Sequence, residues 1–132
     1  MRPKRMTSAT ITVGVDIGDR YSRFCVLNAD SGVIEEGRIR TSPTAMQQAF
    51  CQRSSMRIVI EVGTHSPWVS RLLEALGHQV LVANPRKVRL IYASNRKTDR
   101  LDAEALARLG RLDPQLLAPI RHRGPEAQRT GL

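Results

Sequence analysis

Val13-Gly14-Val15-Asp16-Ile17-Gly18-Asp19 is an apolar run that ends on a carboxylate and breaks at glycine. Together with Ile11, its Val13, Val15 and Ile17 alternate with Thr12, Gly14 and Asp16, the two-residue period of a strand over 10–17. Asp16 therefore stands on the face opposite the branched residues, near the strand's carboxyl end. Gly18-Asp-Arg20 makes a tight turn, Tyr21 to Leu27 is a second β-rich run, and Asn28-Ala-Asp-Ser-Gly32 is a turn cluster before a third strand, Val33 to Ile39. Three strands joined by short turns predict an antiparallel meander.

Downstream the period changes. Thr41-Ser42-Pro43 is a helix start, a hydroxyl cap candidate with proline at the first helical position, followed by Met46, Ala49 and Phe50 as an apolar stripe and Arg53-Ser-Ser55 as its end. Arg57 to Val62 is a continuous apolar run interrupted at Glu61, as expected of a buried parallel strand. Ser66-Pro67 repeats the cap signal, Val69, Leu72, Leu73 and Leu76 follow helical spacing, and Gly77 stands where a helix closes. Gln79 to Ala83 reads as a fifth strand, stopped by Asn84-Pro85, and a last helix is predicted over 98–109. A meander followed by helix, strand, helix, strand predicts an α/β fold with a mixed five-stranded sheet flanked by helices, the order of ribonuclease-H-like domains. The expected organisation is a disordered basic arm at 1–9, one domain over 10–118 and a linker over 119–132 leading toward a domain this chain lacks.

Composition narrows the class. The 132 residues carry 21 Lys and Arg against 12 Asp and Glu, a formal charge of +9, which suits a chain that meets phosphate backbones. Aromatics make up 4%, too few for a base-stacking platform. Cys25 and Cys51 lack metal-ligand spacing and read as buried thiols in a reducing compartment. The basic start Met1-Arg-Pro-Lys-Arg-Met6 has no apolar segment after it, and no apolar run reaches membrane length, so a cytoplasmic protein is expected.

Four carboxylates carry the expected chemistry: Asp16, Glu61, Asp99 and Asp102, each delivered by an apolar element. On the predicted last helix Asp99 and Asp102 are three residues apart and share a face with Leu106 and Leu109. Charge aimed at a core is costly, and hard cations such as Mg²⁺ or Mn²⁺, one or a pair, would offset that cost through oxygen ligands. The structural alternative at each position is simpler: Asp16 as a turn former, Asp99 as a first-turn residue behind a Thr98 cap. Glu61 is harder to explain that way because it ends a buried strand. Six basic residues, Arg86, Lys87, Arg89, Arg96, Lys97 and Arg100, cluster beside the candidate site and read as nucleic-acid-binding. His65, His78 and His122 read as surface or cap residues, Trp68 as core, and Ser66 as an N-cap rather than a nucleophile.

Val13-Gly-Val-Asp-Ile-Gly18, Ile60-Glu-Val-Gly-Thr-His-Ser-Pro67, Val82-Ala-Asn-Pro-Arg-Lys-Val88 and Lys97-Thr-Asp-Arg-Leu-Asp-Ala103, in this order, resemble the N-terminal domain of IS110-family transposases over roughly residues 11–125. The resemblance implies a RuvC-like fold and a D-E-D-D metal tetrad that falls on Asp16, Glu61, Asp99 and Asp102. It also implies DNA recombination in insertion-sequence mobility, guided by an element-encoded RNA, by a protein that is a homo-oligomer at full length. In the family a C-terminal domain supplies a serine nucleophile, and the sequence ends before it. Two alternatives stand beside this: a non-catalytic nucleic-acid-binding or regulatory fragment, and a piece of a sugar kinase or actin-like ATPase. The latter class also opens on an Asp-Ile-Gly strand but needs a later glycine-rich phosphate loop.

Overall fold

The computed structural model describes residues 11–84 and 102–112. Within them lie five strands and three helices: β1 (Thr12–Ile17), β2 (Tyr21–Leu27), β3 (Val33–Arg40), α1 (Pro43–Phe50), β4 (Arg57–Glu61), α2 (Ser66–Ala75), β5 (Gln79–Ala83) and α3 (Ala103–Leu112). The strands form one sheet in the order β3-β2-β1-β4-β5. β1 pairs antiparallel with β2 and β2 with β3, whereas β4 runs parallel to both β1 and β5. This is the ribonuclease-H-like mixed sheet that the order of elements predicts.

Alternation along each strand sorts the core into two layers. Val13, Val15, Phe24, Val26, Ile58 and Ile60 point to one face, where Met46 and Phe50 of α1 and Val69 and Leu73 of α2 cover them. On the other face Val59, Leu81 and Ala83 pack on Leu106 and Leu109 of α3, and Cys25 and Leu27 pack on Ala103 and Ala107. Fully burying a side chain of this size stabilises by about 1.5–3 kcal/mol, so both layers contribute substantially. α3 approaches so closely because Gly14 has no side chain: a Cβ there would collide with Ala103 O and Ala107 N of the helix backbone. Toward the other end of the helix, a Cβ at Gly110 would meet the side-chain methyls of Val59 and Thr12. Arg57 Nη1 donates to Gly110 O, and Arg108 and Arg111 donate to the backbone of the β2–β3 turn at Ser31 and Ala29. α3 therefore runs with its amino end toward the carboxyl ends of β1 and β4.

The local signals hold with small corrections. Ser42 caps α1 through Ala45 N at 3.2 Å with Pro43 at the first position, and Gly77 takes φ +98° after α2. Ser66 opens α2 as its first residue, with His65 in the cap position, and its hydroxyl exchanges hydrogen bonds with Gly63 N and O. Cys25 is buried as expected, but Cys51 is exposed, because α1 ends at Phe50 and Cys51 falls beyond the packed face. His78 is the larger correction: it is buried, accepts from Met56 N at Nδ1 and meets Phe50 O from Nε2 at 2.9 Å. The imidazole thereby joins the end of α1 to the start of β4. The expected basic arm and the linker lie outside the described residues, as do Asp99 and His122.

Candidate metal centre at the strand ends

The register places two of the four candidate carboxylates. Val15 of β1 pairs with Ile60 of β4, so Asp16 and Glu61, the next residue on each strand, are neighbours across the parallel pair. Adjacent strands stand about 4.8 Å apart, and residues in the same parallel register share a face. That face is the α3 side, since Gly14 and Val59, two residues earlier on each strand, both contact α3. Both acidic residues are half-buried at the carboxyl edge of the sheet.

Asp102 comes to the same edge by a different route. It immediately precedes α3, whose first residue Ala103 packs against Gly14, two positions before Asp16. The sequence predicts Asp102 inside a helix over 98–109, whereas it caps the described helix: its Oδ1 accepts from Ala105 N at 2.8 Å, and its carbonyl accepts from Leu106 N. The carboxylate is exposed and bound to the helix amino end, where the dipole also favours a negative charge. Asp99 and the expected nucleic-acid-binding residues Arg86, Lys87, Arg89, Arg96, Lys97 and Arg100 lie outside the described residues. Among the described residues no group of three or more His, Cys, Asp or Glu side chains is gathered closely enough to hold an ion. The described residues offer a pair of hard oxygen donors, Asp16 and Glu61, with a third carboxylate on the adjoining helix end. That donor chemistry fits Mg²⁺ or Mn²⁺ and not a soft metal.

Charge around this edge is mixed. Arg23 of β2 lies directly across from Asp16. Deeper on the same face the Cys25 thiol is pushed up to about 11, chiefly by burial and then by Glu36, Glu104 and Asp102, which keeps it protonated and inert. On the loop side His65 Nε2 stands 3.4 Å from Asp19 Oδ1 while its Nδ1 accepts from Trp68 Nε1. Trp68, expected in the core, is half-buried and packs against the core layer under α1 and α2 while its indole N–H holds that imidazole. Sequence patterning missed a further group, Arg23, Arg38 and Arg40 around Tyr21. Its signal is present as arginines two apart on β3 and an aromatic two before Arg23, but β2–β3 pairing alone brings the two sets together.

The sheet is ribonuclease-H-like with acidic residues on adjoining ends of β1 and β4, a fold that by itself does not fix an activity. The family model for DEDD transposases of the IS110 type, described as Transposase, matches residues 13–129, and the chain belongs to that family. No curated protein sequence matches the chain. Among solved structures, RuvC of Thermus thermophilus is similar at 14% identity and a TM-score of 0.43, over 89% of this chain and 85% of that one. An inorganic polyphosphate/ATP-glucomannokinase from Arthrobacter sp. strain KM is similar at 16% identity and a TM-score of 0.42, over 67% of this chain and 51% of that one. The chain thus spans about half the length of the kinase, and likenesses of this size carry no weight on activity.

Proposed function

We propose that this chain is the catalytic RuvC-like domain of an IS110-type transposase, acting in the cytoplasm on DNA phosphodiesters with a divalent cation at Asp16 and Glu61. The observation that carries the proposal is the placement of these two carboxylates side by side on parallel strand ends, on the face that α3 closes. Asp102, at the amino end of α3, and Asp99 complete the proposed ligand set. When bound, Mg²⁺ or Mn²⁺ ions would supply Lewis-acid stabilisation of charge on a phosphodiester and an activated oxygen nucleophile. The role of the chain is to hold acidic oxygens on rigid elements: β1 and β4 are locked by the sheet, and Gly14 lets α3 sit against β1. The guide RNA and the homo-oligomer belong to the same proposal through the family, as does a contribution from the serine-bearing C-terminal domain to strand transfer.

The test is divalent-ion coupling to DNA affinity. Fluorescence anisotropy with duplex DNA should show binding about 10-fold tighter in Mg²⁺ than in EDTA, within the usual range of coupling between sites. Asp16→Asn and Glu61→Gln should keep the EDTA affinity and lose the gain. If both variants respond to Mg²⁺ as the unaltered chain does, the proposed centre is wrong.

A further inference from the structure

The described arginines divide into two kinds. Arg53 makes a bidentate pair with Glu35 at 2.7 and 2.8 Å, Arg108 pairs with Glu104, and Arg57 and Arg111 bond backbone carbonyls. Arg23 and Arg38 do none of this. They stand directly opposite each other in the β2–β3 register, both exposed, with no ion pair to either among the described residues. Like charges directly opposite across strands are destabilising, so the arrangement favours an anion laid over it.

Tyr21 pre-orders two of the guanidiniums. Arg38 Cζ lies 4.5 Å and Arg40 Cζ 5.6 Å from the ring centroid, and Arg40 Nη1 also reaches Tyr21 Oη at 3.4 Å. A guanidinium resting on an aromatic face keeps its in-plane N–H donors available for phosphate oxygens. The ring itself is occupied by these arginines, so the group offers backbone contacts and not base stacking. Strand alternation puts Tyr21, Arg23, Arg38 and Arg40 on the same face of the sheet as Asp16, and Asp16, Arg23 and Arg38 form one row across β1, β2 and β3. Two strand spacings make that row about 10 Å long, the axial rise of about three nucleotides of one DNA strand. Asp16 is the acidic end of the row on β1, and Glu36, two residues from Arg38 on the same face of β3, bounds its cationic part along that strand.

We propose that the Tyr21, Arg23, Arg38 and Arg40 face is a sequence-independent track for the phosphate backbone of the DNA strand that reaches Asp16 and Glu61. DNA is the occupant because the chain belongs to a transposase family and the row runs into the carboxylate pair. The inference rests on the function proposed above. Its test measures binding in EDTA, where the metal has no part. Anisotropy titrations of the 132-residue chain with duplex DNA of two unrelated sequences, at several salt concentrations, would compare unaltered chain, an Arg23→Ala/Arg38→Ala/Arg40→Ala variant, and Arg71→Ala on the exposed side of α2 as control. The triple variant should bind both sequences at least about 10-fold more weakly, with the salt slope reduced by about 3, one per phosphate contact. Arg71→Ala should stay within about 2-fold, as a lone exposed charge away from the track. Removing opposed like charges should leave the melting temperature unchanged or higher; should the triple variant unfold, single Arg23→Ala and Arg38→Ala should each lower the slope by about 1. An unchanged affinity and slope would overturn the track, and so would a loss confined to RNA of the same length. Loss of EDTA binding with no metal response at Asp16 would leave the track standing and remove the metal centre; the converse would do the reverse.

Discussion

Gly14→Ala places one methyl group between β1 and α3. Its Cβ would stand 2.5 Å from Ala107 N and 3.0 Å from Leu106 Cβ, with Ala103 O nearer still. Ordinary carbon contacts begin near 3.5 Å, so α3 must retreat by about 1 Å, a gap that forfeits a quarter to a half of each dispersion contact it opens. Overpacking of this kind costs about 1–3 kcal/mol, against about 0.5–1 kcal/mol gained by replacing glycine within a strand. The clash is with helix backbone, which cannot rotate aside, so the upper part of the cost applies and the net is about 2 kcal/mol. Thermal unfolding should register a fall of roughly 8 °C. Gly63→Ala, with nothing within 4 Å of its Cβ, should shift the midpoint by less than about 2 °C. The same retreat carries Asp102 away from the Asp16 strand end, so any Mn²⁺-induced rise in melting temperature should shrink in Gly14→Ala and persist in Gly63→Ala. A Gly14→Ala chain as stable as the unaltered one would show that α3 does not lie backbone-to-backbone on β1.

Four further outcomes follow from single residues. Asp102→Ala should lose about 1 kcal/mol with its cap bond to Ala105 N, while Asp102→Asn, which also caps, should stay within about 0.5 kcal/mol; chemical denaturation separates the two, and both should blunt the metal response. A maleimide at neutral pH should label exposed Cys51 in the native chain and buried Cys25 after unfolding; mass spectrometry of the labelled peptides reads the difference. Because burial pushes the folded Cys25 thiol up to about 11, above the ordinary thiol value of about 8.5, its contribution to stability is intact below that ordinary value and is lost as pH rises from there through about 11, which denaturation midpoints across that window would record. His78→Ala should cost about 2–4 kcal/mol in equilibrium unfolding, since it leaves Met56 N and Phe50 O buried without their partner.

The sheet was legible because β1 alternates with a two-residue period while β4 reads as a continuous apolar run, and the alternation that buries Val13 and Val15 also puts Asp16 on the α3 face. Glu61 was legible because a carboxylate ending Arg57-Ile-Val-Ile is hard to explain otherwise, and parallel pairing then sets it beside Asp16. Helix boundaries carry a weaker signal. Asp102 suits a helix face and a cap equally well by residue type, and the bond to Ala105 N decides for the cap. His78 follows Gly77 in a polar turn, so its burial between α1 and β4 depends on tertiary packing that no local pattern encodes. The arginine track was hidden for a related reason: Arg23 and Arg38 are 15 residues apart, and hairpin register alone makes them face each other.

The central claim is that Asp16 and Glu61 together bind a divalent cation. Calorimetric titration of Mn²⁺ into the 132-residue chain, its Asp16→Asn variant and its Glu61→Gln variant tests it most directly. Saturable binding in the unaltered chain that disappears in both variants is the predicted result. Equal heats in all three, or no saturable binding in any, would contradict the account.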